Sequence, residues 1–444
     1  MNAVIFIVAT TLTAVFAASL AVGLRNGRDA FSPWCLVPGL HLLRTSPFLF
    51  LASTDPEAYV HPAIVESLPD LDSAFLWYGF VELCGFAACM LGISGGAGPA
   101  IAARLPVLRY RISPQMLELA AMGALMIGFV AYLQVLRHVG GLSELLGSLD
   151  MRVQVLEGTG VYISLMTLAA VGCVVLAYTL RFRYSHTRLA LVCFLSLSTA
   201  AMFSTTGGRK LALGLVVSLL MVWHWGVRPI RHPVRLGVVV VLAIAPYFVA
   251  MPLIRSNRNA LAIYMERPAD LVSDVVDNSS DFIRQLSYCE TYLFVTNYFT
   301  LDSIWMGQTY LDLLKAPVPR QLMPQKPALD EGMYIYTLAQ GGQVYPGMPS
   351  RDQNAAGWPT ETLGTMYWNF HLPGVVAGMF VLGSLLRAAF EYLMVSRKSL
   401  FSIFLYQYAM FGLALSNIRI VQFSVGVVAV TLLFVFGLGA RMQR

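Results

Sequence analysis

Apolar runs of bilayer length fill this chain almost from end to end, and one long polar stretch, Arg255 to Glu361, breaks the series. That pattern leaves few folds open. In hydrocarbon every backbone N–H and C=O must be satisfied within the protein, so only helices and closed barrels span a bilayer. Runs near twenty residues fit helices, whereas barrel strands need only about ten. Hydrophobic residues make up 57% of the 444 and charged residues 12%, about half the charged share of a soluble chain.

The expected fold is an all-α polytopic membrane protein, a single integral membrane domain over 1–444. Spans fall near 2–24, 31–52, 74–95, 115–136, 160–180, 189–205, 209–227, 236–254, 364–386, 400–416 and 422–440, about eleven helices. The first run lacks the basic flank of a signal peptide and is too long for its apolar region, so it is read as a retained helix. Basic residues of the short loops set the orientation. Arg25, Arg28, Arg104, Arg109, Arg111, Arg181, Arg183, Arg188, Arg228, Arg231, Arg235, Arg387, Arg397, Lys398, Arg441 and Arg444 fall on one side. Only Arg137, Arg152, Arg209, Lys210 and Arg419 fall on the other. The amino terminus is then outside, the carboxyl terminus inside, and the 255–361 loop, between the eighth and ninth spans, outside. The net charge of +6 reflects this bias and is no argument for nucleic acid. The six cysteines show no CxxC or Cys/His spacing, so neither a disulfide framework nor a metal site is expected.

The loop carries structure of its own. Leu271, Val275, Phe282, Leu286 and Leu293 recur at helical multiples with Asp270, Asp274, Asp277 and Asp281 between them, which predicts an amphipathic helix. A second short helix is expected over Gln308 to Lys315. Pro317, Pro319, Pro324 and Pro327 enforce an extended path, and Gly341-Gly342 and Pro346-Gly347 mark turns. A further short amphipathic helix is expected after Gly140-Gly141, ending at Arg152. A transporter seldom needs so long a segment on one face; an enzyme acting on a lipid-linked substrate at the membrane surface does.

Arginine and lysine supply the first candidate chemistry. Arg209 and Lys210 open a span after a Gly-Gly pair, and Arg255 and Arg258 begin the loop. Arg320 and Lys326 sit on the proline ladder, Arg351 in a polar turn, and Arg419 in a very short outer connection. Guanidinium forks and ammonium point charges match phosphate oxygens, so this set is the candidate binding site for a diphosphate. Singly, each is better read as paired with lipid phosphates or loop carboxylates; as a set, on the face away from the positive-inside bias, they are read as functional. Glu361, at the outer boundary of a span, is the candidate general base, or else a carboxylate favoured by the helix dipole. Asp330, Glu331, Asp352 and His371 are weaker candidates. Asp70-Leu-Asp72 imitates a metal motif, but capping is the preferred reading. Arg44 with His41, Glu82 and Glu118 lie inside spans, where charge is costly; an Arg44–Glu82 pair is expected.

The order Gly307-Gln-Thr-Tyr310, Pro319-Arg320, Pro324-Gln-Lys-Pro327, then Gly364…Tyr367-Trp-Asn-Phe…Gly374 resembles the bacterial oligosaccharide repeat-unit polymerases, the Wzy-type O-antigen and capsule polymerases. The Gly-Gly at 140–141 and the Gly-Gly-Arg at 207–209 also look like that family. The resemblance in motif order covers roughly 137 to 375, and in span layout most of the chain. It implies a membrane-embedded inverting glycosyltransferase of the C-type architecture, working on the outer face of the cytoplasmic membrane. Such enzymes move a growing glycan from undecaprenyl diphosphate to a fresh lipid-linked repeat unit. Arg320 and Lys326 would match the family's Pro-Arg…Lys-Pro element, Arg209 its Gly-x-Arg, and Asn369-Phe370 its Asn-Phe. Arg320 would join Glu361 in catalysis; Arg209, Lys210, Arg255, Arg258, Lys326, Arg351 and Arg419 would bind substrate. The partners implied are undecaprenyl-diphosphate-linked oligosaccharides, membrane lipids, a flippase and a chain-length regulator. No cofactor is implied, since the donor carries its own activated diphosphate. Thr365 stands where relatives often have Glu, with Glu361 one helical turn earlier as its substitute, and His371 stands where Gly is commonest; both departures leave the identity of the base open. A ligase passing finished glycan to another acceptor and a flippase of lipid-linked glycans are the alternatives.

Overall fold

The computed structural model describes the chain except positions 69, 110–112, 148–154, 157–158, 207–208, 257–262, 265, 279–282, 285–286, 319–321, 355–356, 433, 435–440 and 444. Fifteen helices position the site: α1 (Ala3–Arg25), α2 (Pro33–Arg44), α3 (Ser46–Thr54), α4 (Leu71–Ser94), α5 (Ala97–Arg104), α6 (Pro114–Val139), α7 (Gly160–Thr179), α8 (His186–Thr205), α9 (Arg209–Val222), α10 (Pro233–Ser256), α11 (Cys289–Tyr298), α12 (Gly332–Ala339), α13 (Glu361–Val395), α14 (Leu400–Gly412) and α15 (Asn417–Leu432). Among the described residues the only paired strands are Val107–Arg109 and Arg441–Gln443. The chain is an all-α protein, and among the described residues seven helical segments are long and apolar enough to cross a membrane: α1, α2 with α3 (Pro33–Thr54), α4, α6, α7, α8 and α13. Shorter apolar helices at Leu211–Val227, Arg235–Tyr247, Leu400–Gly412 and Asn417–Leu432 occupy the other expected positions.

Local sequence sets the helix boundaries. Asn2, Asp70 and Ser113 cap α1, α4 and α6 with side-chain oxygens on the free N–H groups of the first turn. Asp70 thus caps, as expected, and Asp72 accepts from the Asn2 amide at 2.6 Å. Gly140 closes α6 in the left-handed region at φ 96, a conformation open to glycine. The six cysteines are free thiols.

The pairing of α4 with α13 is the spine. The two helices run in the same direction, as the sequence of contacts from Trp77–Tyr367 through Gly85–Val375 to Gly92–Ser384 shows. At their closest approach Gly92 meets the Phe380 carbonyl and Gly383 meets the Cys89 carbonyl, with no room for a Cβ. Small residues that let backbones touch are the usual basis of helix association in a bilayer, where burial of apolar surface gives no driving force. The antiparallel pair α6–α7 repeats the device, with Gly128 on Ala169 and Gly172 on Ala121.

The bundle has two chemically distinct ends. At one, Trp34 lies between the guanidinium groups of Arg28 (4.3 Å) and Arg387 (3.9 Å), and Asp29 accepts from the Trp225 indole at 2.8 Å. Arg188 pairs with Glu118 at 2.6 Å at the same end. The other end gathers Asn2, the close of α3, the starts of α4 and α13, and the described part of the 255–361 stretch. There Asn2 N–H bonds the Ser53 carbonyl at 2.6 Å, and the His61 N–H bonds Glu290 of α11 at 2.8 Å.

The long stretch departs from expectation. Among the described residues the amphipathic helix expected from Leu271 to Leu293 is interrupted: Pro268–Asp277 ends at a turn, and α11, in which Leu293 is fully buried, starts afresh at Cys289. Phe282 and Leu286 lie outside the described residues. The reason lies in the partner surface, since α11 is held between α4 and α13 as part of the core rather than lying in a headgroup plane. Gln308–Leu311 and Asp312–Lys315 form consecutive helical turns as expected, and Gly341 and Gly347 adopt φ 78 and 81. The proline segment, expected to be extended, instead turns at Lys315–Val318 and Met323–Lys326, where backbone hydrogen bonds close back on the chain. Leu142–Gly147 is helical, while Arg152 lies outside the described residues.

A side chain at the α4–α13 contact cannot be absorbed. Gly92→Val is expected to lower stability by roughly 1–3 kcal/mol, read as a lower unfolding temperature of the purified protein in detergent.

Candidate functional site

Helix α13 begins with a residue in an unusual conformation. Glu361 has φ 44, a left-handed value for a non-glycine residue, and such strain persists only where the surroundings hold it. Here Arg419 holds it: Nη2 donates to Glu361 Oε1 at 2.8 Å, and both side chains are mostly buried. Thr360, buried just before, hydrogen-bonds Thr365 at 3.0 Å.

Arg419 stands in the first turn of α15, and three contacts fix the junction between α14 and α15. The Leu415 N–H donates to Thr362 Oγ1 at 2.9 Å, the Tyr310 hydroxyl donates to the Leu415 carbonyl at 2.6 Å, and the Asn417 N–H donates to Glu331 Oε2 at 2.7 Å. The Asn417 amide also donates to the Thr309 carbonyl at 2.6 Å, and Thr309 in turn donates to Asn369 of α13 at 3.0 Å. A cavity of about 190 Å³ results, lined by Asp330, Glu331, Gly357, Pro359, Thr360, Glu361, Ser416, Ile418, Arg419 and Gln422. It joins the 255–361 stretch, the start of α13 and the start of α15.

The electrostatics are uneven. Burial pushes the Glu331 carboxyl well above the usual carboxylate range; the Asn417 N–H opposes this, and Asp330, Asp312 and Glu361 add to it. Behind the Glu361–Arg419 pair stands Tyr288, and the Arg44 guanidinium lies over its ring at 5.1 Å. Deeper still, Glu82 takes His41 Nδ1 at 2.9 Å and Thr45 Oγ1 at 3.5 Å. The expected Arg44–Glu82 pair is therefore replaced by His41–Glu82. His41 stands one turn before Arg44, which puts it against α4, while Arg44 ends α2 and is turned to Tyr288. Glu118, bonded to Arg188 between α6 and α8, is not joined to this chain of contacts.

The candidate residues are distributed as follows. Glu361 and Arg419, far apart in sequence, are bonded to each other. Lys326 is buried and its ammonium donates to the carbonyls of Ala316 (2.6 Å) and Val318 (2.8 Å), clasping the proline segment. Arg351 is exposed on a short helical turn beside Asp352, at 3.5 Å. Arg320 and Arg258 lie outside the described residues. Arg209 and Lys210 open α9 and Arg255 lies near the end of α10, with their side chains outside what is described. His371 sits at a break in α13, at φ 55 and two residues before Pro373, and meets the Tyr367 hydroxyl at 2.8 Å. Tyr367 in turn accepts from the Trp77 indole at 2.8 Å.

Sequence reasoning passed over Tyr288 and Asn417 and ranked Glu331 low. Asn417 had a signal, as a polar residue at the junction of two apolar runs. The burial of Glu331 had none. A second, open groove of about 780 Å³ runs along Glu66, Ser67, Tyr298, Leu338 to Val344 and Ala63. Its walls mix an aromatic ring with amides, a carboxylate and a hydroxyl. Among the described residues no cluster of His, Cys, Asp or Glu is arranged to hold a metal ion.

No protein-family model, curated protein or solved structure matches this chain. The fold and the site define a multi-pass α-helical membrane protein with a carboxylate–arginine cavity at one end of its bundle.

Lys326 offers a direct check of what its ammonium does. Lys326→Met removes both carbonyl contacts and is expected to loosen the segment by about 1–3 kcal/mol. Limited proteolysis would then cut near the proline ladder faster than in the parent.

Proposed function

We propose that this protein is a glycosyltransferase that polymerises undecaprenyl-diphosphate-linked oligosaccharide repeat units on the outer face of the bacterial cytoplasmic membrane. The observation that carries the reading is the Glu361–Arg419 pair, a strained carboxylate and a guanidinium held together in a cavity at one end of an apolar bundle. Such a bundle suits two polyprenyl tails, and the cavity suits the polar heads they carry. The motif order from Gly307 to Gly374 agrees with it.

In this reading Glu361 takes the proton from an acceptor sugar hydroxyl as that oxygen forms its bond to the donor anomeric carbon. The bond from that carbon to the diphosphate breaks on the opposite face, and the configuration inverts. Negative charge gathers on the departing diphosphate, and a preorganised guanidinium stabilises it there. Arg419 serves both sides: it orients the Glu361 carboxylate and presents donors to phosphate oxygens. Arg320, Arg258, Arg255, Arg209 and Lys210 would complete the phosphate cradle. Lys326 serves by shaping the proline segment, and the groove beside Tyr298 offers hydrogen-bond partners to glycan hydroxyls. A proton-coupled flippase would need linked titratable groups through the bundle, and the separate bonding of Glu82 with His41 and of Glu118 with Arg188 favours the enzyme.

The test uses purified protein in detergent with lipid-diphosphate-linked repeat units and no nucleotide sugar. The parent is expected to build a ladder of products. Loss of a general base typically costs 10²–10⁴-fold, and Glu361→Gln should slow the ladder by about that much. Arg320→Ala and Arg419→Ala should abolish it. A ladder undiminished in Glu361→Gln would overturn the assignment of the base. No ladder from the parent, with transfer to a different acceptor instead, would make the protein a ligase.

A further inference from the structure

Glu331 is the least explained polar group in the cavity. It immediately precedes α12, 1% exposed. Its Oε2 accepts from the Asn417 N–H at 2.7 Å, and its Oε1 is buried with no hydrogen-bond partner. The charged groups around it offer no compensation. Asp330 is its chain neighbour and carries the same sign. Asp312, on the turn after Gln308–Leu311, is bonded to Lys315 at 2.9 Å. Glu361 of α13 holds Arg419 of α15. Tyr310 and Tyr334 present only phenols. Every described cation facing this corner is thus committed to another acid.

A buried carboxylate with no counter-ion is costly, and such a group takes up a proton instead. We propose that Glu331 is a neutral carboxylic acid that acts as a positioning residue, pinning the turn at Asn417 so that Arg419 stays committed to Glu361. This rests on the reading of Glu361 and Arg419 as the reacting pair. The proton is what keeps the arrangement selective. Were Glu331 ionised, a second anion lining the same cavity would compete for Arg419, and Glu361 would lose the contact that holds its strained backbone.

The direction of the effect follows from linkage. The carboxyl of Glu331 is raised above its unfolded value, so its contribution to stability is complete below about pH 4.3. It is lost progressively as the pH rises toward the folded value. Site geometry changes only when the pH passes the folded value, so activity falls on an alkaline limb.

Three measurements on the full-length protein in detergent test this. Infrared spectra at pH 6 should show a protonated-carboxyl band in the parent that is missing in Glu331→Gln; an unchanged spectrum overturns the proposal. Unfolding temperatures from pH 4 to 10 should fall with pH more steeply in the parent than in Glu331→Gln, and coincident curves would overturn it too. Neither needs a substrate, so both stand even if the glycosyltransferase reading fails. In the ladder assay, Glu331→Ala should lose about tenfold or more in rate. Glu331→Gln, which keeps a carbonyl for the Asn417 N–H, should restore most of that rate and move the alkaline limb. If Glu331→Gln is as defective as Glu331→Ala at every pH, the carboxylate itself is used and the positioning role is wrong.

Discussion

The backbone contact between α4 and α13 is the constraint on which the rest of the structure depends. Where Gly92 meets Phe380 and Gly383 meets Cys89, the two helices touch main chain to main chain over a stretch that no larger residue could occupy. Dispersion contacts of this kind, individually small, replace the solvent-driven burial that organises a soluble core. Because the pair is parallel, both helices start at the same end of the bundle. That end receives α11 and the described part of the long polar stretch. The break at His371, where φ is 55 and Pro373 follows, divides α13 into the segment that bears Glu361 and the longer segment that carries Gly383.

Charge is sorted in a matching way. One end of the bundle spends its arginines on aromatic faces and on carboxylates, as in the Arg28–Trp34–Arg387 stack and the Arg188–Glu118 bond. At the other end Arg419 meets Glu361, and among the described residues no cation is bonded to the neighbouring carboxyl of Glu331. Two carboxyl groups in one small cavity thus meet different surroundings: Glu361 is bonded to a guanidinium, and Glu331 is buried with one oxygen unpartnered.

The polar stretch is part of the architecture. Lys326 clasps the proline segment through two carbonyls, Thr309 links Asn369 to Asn417, and Glu331 reaches the turn that presents Arg419. Residues that looked alike as outer-loop cations therefore do different work. Arg419 faces a carboxylate in the cavity, Lys326 faces the chain's own backbone, and Arg351 faces Asp352 on the surface.

Much of this was determined by the sequence alone. Bilayer-length apolar runs allow only helices, because an unsatisfied peptide group in hydrocarbon is too costly, and so the helical class and the places of most long apolar helices were legible. Turns with their own chemistry, such as Gly140, Gly341 and the Asp70 cap, were legible for the same local reason. Glu361 and Arg419 stood out as a boundary acid and a basic residue in a short connection, though nothing linear tied one to the other. What only the tertiary structure decided was pairing: His41 rather than Arg44 on Glu82, α11 in the core rather than at the surface, and Glu331 buried rather than solvated. Each of these turns on which side chain another helix brings within about 3 Å, the range in which a hydrogen bond or ion pair forms. That depends on helix rotation and register, which a sequence pattern of apolar and polar residues constrains only to a face.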